Sequence, residues 1–164
     1  MRTLTLGALG LTLVTGVAGS VAAQAAPATP AGLRAELLSQ LDDAATKLVQ
    51  LAEAIPQEKY SWRPGTGVRS ISEVLMHVAG GNYFILTFAG VQPTVQLPRD
   101  AETTSTAKAQ VVDNLKKSFE HVRASLRAAQ DADFDKPTTL FGRATTNRNV
   151  FITEVTHAHE HLGQ

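Results

Sequence analysis

The sequence predicts an all-α protein, a four-helix bundle, preceded by a cleavable signal peptide. In four segments, apolar residues recur at three- and four-residue steps, as in helices that bury one face. No segment shows the sustained alternation of apolar and polar residues that is typical of a half-buried strand. With 164 residues, 43% of them hydrophobic, the chain can bury one core, so we expect one helical domain over residues 33–164.

The N-terminal segment predicts export. Arg2 precedes an uncharged apolar stretch at residues 4–17, and residues 23–25 (Ala-Gln-Ala) give the small-x-small pattern that signal peptidase cleaves. We interpret residues 1–25 as a signal peptide and residues 26–32 as a linker, with an uncleaved membrane anchor as the alternative. After cleavage, the protein would have no stable membrane span and would be periplasmic or secreted. Because the chain has no cysteine, packing or a metal ion must stabilise it instead of disulfides.

The first two predicted helices lie on either side of a loop rich in glycine and proline. The first begins at Leu33 and ends before Pro56, which cannot continue a helix. The second begins with a capping box formed by Ser70 and Glu73 and runs to about Phe88. Their apolar faces consist of Leu33, Leu37, Leu41, Ala44, Leu48, Leu51 and Ile55 in the first helix and of Ile71, Val74, Leu75, Val78 and Ile85 in the second. Gly80 and Gly81 weaken the second helix but would allow a neighbouring helix to approach closely.

The third and fourth predicted helices complete the bundle. The third follows a cap at Ser105 or Thr106, and the fourth begins near Asn147 or Asn149 and continues to the end. Their apolar faces consist of Val111, Val112, Leu115, Phe119, Val122 and Leu126 in the third helix and of Phe151, Val155, Ala158 and Leu162 in the fourth. The polar segment between them is predicted to be a loop.

The charge distribution argues against a nucleic-acid-binding protein. The chain has 15 basic and 15 acidic residues, and its Lys and Arg residues form no cluster. Binding to nucleic acids depends mainly on neutralising phosphates, which requires a basic surface. We therefore expect no nucleic-acid partner.

The last helix carries the main candidate for chemistry. His157 and His161 lie one turn apart and within about 40° of each other around the axis, whereas His159 points about 160° away. Two histidines at this spacing can hold one metal ion from one side of a helix. The spacing also occurs by chance, so two solvated or hydrogen-bonded histidines are the alternative. Glu154 is a candidate hydrogen-bond acceptor for an imidazole or a general base, with a solvated surface carboxylate as the alternative.

A third ligand would have to come from another segment. His77, beside the apolar face of the second helix, is a candidate, and a boundary residue without a ligand role is the alternative. We predict that His121 lies at the surface and that His159 is not a ligand.

Two motifs resemble those of the DinB-like (DinB/YfiT) superfamily. They are WRPGTGVRSISEVLMHVAGG at residues 62–81 and THAHEHLGQ at residues 156–164, and the resemblance covers residues 33–164. It implies a four-helix bundle with one metal site made by His77, His157 and His161. It also places Gln164 at the position of the family's glutamine just beyond the last ligand. The sequence stops at Gln164, whereas family members usually continue this helix for several more turns. We therefore expect His161 to lie in the last turn.

Three neutral imidazoles leave at least one position on a metal open, as in catalytic sites. The sequence therefore favours a metal-dependent hydrolase of an unknown small substrate, with zinc as the first expectation for the metal and nickel as the second. The alternatives are a non-catalytic metal-binding or structural dimeric bundle, and a metal- and thiol-dependent S-transferase. Export disfavours the S-transferase, because the thiols that such members use are intracellular. A homodimer is an expectation from the family alone, and neither the substrate nor the ion follows from the residues.

Overall fold

The computed structural model describes residues 32–164, so the predicted signal peptide, residues 1–25, and linker residues 26–31 lie outside the described residues. The α-helices are α1 (Leu33–Ala54), α2 (Ile71–Phe84), α3 (Ala101–Thr104), α4 (Lys108–Ala128) and α5 (Asn147–Leu162). Two strands, β1 (Pro137–Leu140) and β2 (Arg143–Thr146), form a hairpin, and short 3-10 turns occupy Gln57–Lys59, Ile85–Ala89 and Asp131–Asp133. The four long helices are those that the sequence predicts.

The long helices form a bundle in which α1 and α2 each pack extensively against both α4 and α5. Helices α1 and α2 therefore lie diagonally opposite each other, and so do α4 and α5. This arrangement makes α2 and α5 neighbours, although more than 60 residues separate them in the chain. Side chains from these two helices can consequently meet at one site.

The start of α2 is fixed by the predicted capping box. The Ser70 hydroxyl accepts a hydrogen bond from the Glu73 amide (3.3 Å), and the Glu73 carboxylate accepts one from the Ser70 amide (2.6 Å). The next two amides donate to the carbonyls of Trp62 (3.1 Å, from Ile71) and Tyr60 (2.9 Å, from Ser72). These bonds satisfy the free amides of the first turn and hold the loop before α2 against the bundle.

One local prediction was wrong, and a second is right only for the extent of the helix. Neither Ser105 nor Thr106 caps α4, which begins at Lys108 after Ala107. Gln57, 51 residues away, provides the cap, because its side-chain oxygen accepts a hydrogen bond from the Lys108 amide (2.6 Å). The second predicted helix reaches Ala89, but from Ile85 it continues as a 3-10 helix.

The hairpin between α4 and α5 corrects the all-α prediction, since the protein is a mostly helical bundle with two short antiparallel strands. Leu140 pairs with Arg143 across a two-residue turn in which Phe141 (φ 48°) and Gly142 (φ 79°) both adopt positive φ. This conformation matches a type I′ turn. Strands of four residues are too short for an alternating pattern to stand out in the sequence.

The core lies between the four long helices. The predicted apolar face of α4 is completely buried, as are most of the predicted faces of α1, α2 and α5. The exceptions keep part of their surface exposed and are Leu33, Leu51, Ile55, Ile71, Val74 and Leu162. Within residues 32–164, no helix has the length and apolar character that a membrane span requires.

Candidate metal centre

Three histidines converge at the contact between α2 and α5. His77 projects from α2, and His157 and His161 project from successive turns of α5. Each offers one ring nitrogen, and these three nitrogens lie within 4.8 Å of one another. The ring centroids are 4.6–5.2 Å apart, and each ring is partly buried. The structure thus brings together the three histidines that the sequence and the family resemblance single out.

The geometry of this histidine cluster fits a divalent transition-metal ion. The Nε2 atoms of His77 and His157 are 3.3 Å apart. Two ligands of a tetrahedral zinc ion, each bonded at about 2.1 Å, lie about 3.4 Å apart. Two such nitrogens can face each other if one carries a proton or if both direct lone pairs at a cation. The donor set, three imidazole nitrogens, is one that zinc, nickel, copper and iron accept.

The other ring nitrogens of two histidines are held by side chains outside the cluster. Nδ1 of His77 lies 3.0 Å from Oε2 of Glu102, and Nδ1 of His161 lies 2.7 Å from Oε1 of Gln164. An imidazole that donates from Nδ1 keeps its lone pair on Nε2. These contacts therefore orient Nε2 of both rings for metal binding and, at His77, add the basicity that a carboxylate partner gives.

Glu102 is itself fixed by an ion pair. The Arg69 Nε atom donates to its second carboxylate oxygen at 2.7 Å. Burial raises the pKa of Glu102, but the hydrogen bonds from Arg69 and His77 outweigh it and lower the pKa below its usual value. The carboxylate therefore stays charged near neutral pH. No sequence pattern pointed to Glu102, because it lies 25 positions beyond His77, in the short helix α3.

His157 is the most constrained member of the cluster. Burial, together with the nearby His161, His77 and Arg69, lowers its pKa to about 4. The ring is thus neutral at pH 7, and protons do not compete with a metal for it. Its Nδ1 atom is buried and has no hydrogen-bond partner within the described part of the chain.

Gly81 makes room for the His157 ring. A Cβ carbon at position 81 would stand 3.0 Å from Nδ1 of His157 and still closer to Cε1. A Cβ at Gly80 would meet nothing within 4 Å. The predicted close helix approach is therefore confirmed at Gly81, where it admits an imidazole ring, and not at Gly80.

A sequence match over most of the chain decides the family. The profile of the DinB superfamily matches residues 40–164. The chain belongs to the DinB superfamily. None of the curated proteins matches it significantly.

Solved structures agree with this assignment. A DinB-like protein from Bacillus cereus is 18% identical, with a TM-score of 0.67 over 78% of this chain and 85% of that one. A conserved protein from Enterococcus faecalis is 13% identical, with a TM-score of 0.64 over 82% and 93% of the two chains. YfiT from Bacillus subtilis, described as a probable metal-dependent hydrolase with an unusual four-helix bundle topology, is 16% identical, with a TM-score of 0.62 over 87% and 90%. At these identities the matches establish the fold.

In this DinB-superfamily protein, Glu154 is not the solvated surface carboxylate that was the alternative in the sequence analysis. Its side chain is completely buried in the bundle, one turn before His157. The Asn82 amide, oriented so that both of its polar atoms are satisfied, donates to Oε1 at 2.8 Å, whereas Oε2 has no partner among residues 32–164. Burial raises the pKa of Glu154 well above its usual value. In the described structure, no hydrogen bond joins it to an imidazole, and its role as an imidazole partner or general base stays a prediction.

The two remaining histidines lie outside the cluster. Nδ1 of His159 is 2.9 Å from the carbonyl of Val155 in its own helix, which agrees with the prediction that it is not a ligand. His121 is buried, not at the surface as predicted. The loop before α3 covers it, with Thr94 Oγ1 3.3 Å from its Nδ1, and its ring lies 5.1 Å from that of Tyr83. Helical periodicity could not reveal a cover made by a loop.

Proposed function

We propose that this protein binds one divalent metal ion through His77, His157 and His161 and uses it to hydrolyse a small substrate. The observation that carries the proposal is the convergence of three imidazole nitrogens, from two helices, within 4.8 Å of one another. Three protein ligands leave a position on the ion for water or substrate. Zinc is the proposed ion, with nickel as the second candidate.

When bound, a divalent ion in such a site polarises a carbonyl group and provides a nucleophile from water near neutral pH. Glu102 and Gln164 hold the rings of His77 and His161 in position for it, and Gly81 leaves the space that the His157 ring occupies. Glu154 is the proposed outer partner of His157, since each has a buried polar atom without a hydrogen-bond partner in the described structure. The description of the B. subtilis relative as a probable metal-dependent hydrolase supports the same reaction class.

Metal content tests the first half of the proposal. The purified protein is incubated with zinc, freed of excess metal by gel filtration and analysed by mass spectrometry, beside His77→Ala, His157→Ala and His161→Ala. His159→Ala is the matched control, because it removes a histidine from the same helix outside the cluster. We expect about one zinc per wild-type or control chain and little in the three cluster variants. Equal zinc in all five proteins would refute the proposed site.

Hydrolysis tests the second half. Zinc-loaded wild type and His157→Ala are compared on a panel of small esters and amides. Turnover by the wild type and not by the variant supports a hydrolase. A protein that binds zinc and is stabilised by it, but turns over nothing on the panel, supports a non-catalytic metal-binding bundle. Turnover that appears only when a low-molecular-weight thiol is added supports an S-transferase.

We also propose that the protein is exported, on the strength of its N-terminal sequence. Expression of the full chain in a bacterial host, followed by mass spectrometry of the periplasmic fraction, checks this. The expected product begins at Ala26. A full-length chain in the cytoplasm or the membrane would contradict the proposed cleavage.

A further inference from the structure

An apolar cavity of about 270 Å³ adjoins the histidine cluster. Its wall includes Leu51 from α1, Ile71 and Val74 from α2, Trp62 from the loop before α2, and His161 from α5. His161 thus belongs both to the histidine cluster and to the wall of this cavity. A group bound in the cavity would lie next to the proposed metal.

The apolar wall explains why several residues of the predicted core remain exposed. Leu51, Ile71 and Val74 continue the apolar faces of their helices, yet Leu51 is 45% exposed and the other two are only partly buried. Trp62 is 56% exposed and Val68, also in the wall, is 41% exposed. Single apolar side chains at a surface need no explanation. A group of them around one concave space beside a candidate metal ligand is typical of a binding site.

Charge and polarity in the wall are largely balanced by contacts within the protein. The Arg69 Nε atom pairs with Glu102, and the Ser70 hydroxyl serves the capping box. The Gln164 oxygen contacts His161. The positive charge of Arg69 is therefore balanced by a carboxylate, which favours an uncharged occupant.

We propose that this cavity receives the apolar acyl or aryl group of a small uncharged substrate. The inference rests on the proposed hydrolase function and adds the substrate class. In the reaction, the bond between the acyl carbon and its oxygen or nitrogen breaks, and water supplies a hydroxyl to the carbon and a proton to the leaving group. At roughly 30 Å³ per water-sized atom, the cavity holds about nine non-hydrogen atoms.

The chain contains a single tryptophan, Trp62, so its fluorescence reports directly on the cavity. Two probe series are titrated: linear aliphatic carboxamides from acetamide to octanamide on chelator-treated protein, and the corresponding hydroxamates on zinc-loaded protein. A buried methylene contributes about 0.8 kcal/mol, which is a factor of about four in affinity. We expect the dissociation constant to fall by up to that factor for each added methylene and to level off once the cavity is full.

Three variants make the test specific. Val74→Phe fills the cavity and is expected to abolish the dependence on chain length. Val95→Phe is the matched control, because it makes the same substitution at a position that is 36% exposed and outside this cavity. Leu51→Gln places a polar group at a half-exposed position of α1 without enlarging the side chain, and it is expected to weaken the dependence on chain length. This second variant still tests the cavity if Val74→Phe does not fold.

The two proposals fail separately. The cavity proposal is overturned if affinity in the wild type does not depend on chain length. It is also overturned if this dependence is the same in Val74→Phe and Leu51→Gln as in the wild type. Both results would count even in a protein that holds zinc. If the carboxamide series shows the expected dependence in a protein that binds no zinc, the cavity is an apolar binding site and only the metal-dependent reaction is refuted.

Discussion

Gly81 and His157 are in contact across the interface between α2 and α5, where a Cβ carbon at position 81 would lie 3.0 Å from Nδ1 of the imidazole. The smallest side chain would therefore displace a proposed ligand. We predict that Gly81→Ala turns the His157 ring away from His77 and weakens zinc binding about tenfold or more, which corresponds to about 1.4 kcal/mol. Competition with a chromogenic chelator measures the affinity.

Gly80→Ala provides the control for this substitution. It lies next to Gly81 in the same helix, but its Cβ would meet no atom within 4 Å. Alanine in a helix interior is favoured over glycine by about 0.5–1 kcal/mol, so this variant should be slightly more stable and bind zinc normally. Equal zinc affinities for the two variants would show that the close contact does not position His157.

Glu102 leads to a second prediction, because its carboxylate holds His77 through Nδ1 at 3.0 Å. Glu102→Gln keeps the size of the side chain but removes the charge that pairs with Arg69. Loss of such an outer partner typically costs 10- to 100-fold in metal affinity. We expect a decrease of about tenfold, measured by the same competition, and no decrease for Glu120→Gln, whose carboxylate bonds Arg123 outside the site. A Glu102→Gln protein with wild-type affinity would mean that the contact is only structural.

The sequence predicts those features of the site that depend on local spacing. The i, i+4 spacing of His157 and His161 and the capping box of Ser70 and Glu73 are properties of single helices, and the structure has both. The contribution of His77 depends on which helices are neighbours. Helical periodicity does not determine this, so the place of His77 beside an apolar face made it only a candidate, and the family resemblance singled it out.

The features that sequence analysis missed depend on contacts between distant segments. Gln57 caps α4 from 51 positions away, and Glu102 reaches His77 from a helix of four residues. The loop that covers His121 has no periodic pattern at all. The burial of Glu154 follows from its facing Asn82 of α2, which a helical wheel of α5 alone cannot show.

Metal removal gives a third prediction. If the histidine cluster binds zinc in the folded state only, zinc at 100 times its dissociation constant stabilises the protein by about 2.7 kcal/mol. We expect a chelator to lower the melting temperature of the zinc-loaded wild type by several degrees. It should have no effect on His157→Ala, and an undiminished effect on His159→Ala. A chelator effect of equal size in His157→Ala would place the bound metal elsewhere.

Glu154 carries the last prediction, which concerns pH. Burial raises its pKa well above the usual value, so the folded protein binds a proton that the unfolded chain has already released near neutral pH. The stability that this group contributes is fully present below the unfolded pKa of about 4.3 and is lost as the pH rises through the folded value. Glu154→Gln removes this loss, and its amide oxygen can still accept from Asn82. The stability of the variant relative to the wild type should therefore increase between pH 4.5 and pH 8, by at most about 1.4 kcal/mol per pH unit. Denaturant unfolding of the metal-free proteins across this range measures the difference, and a difference that stays constant with pH would mean that Glu154 is ionised in the folded protein.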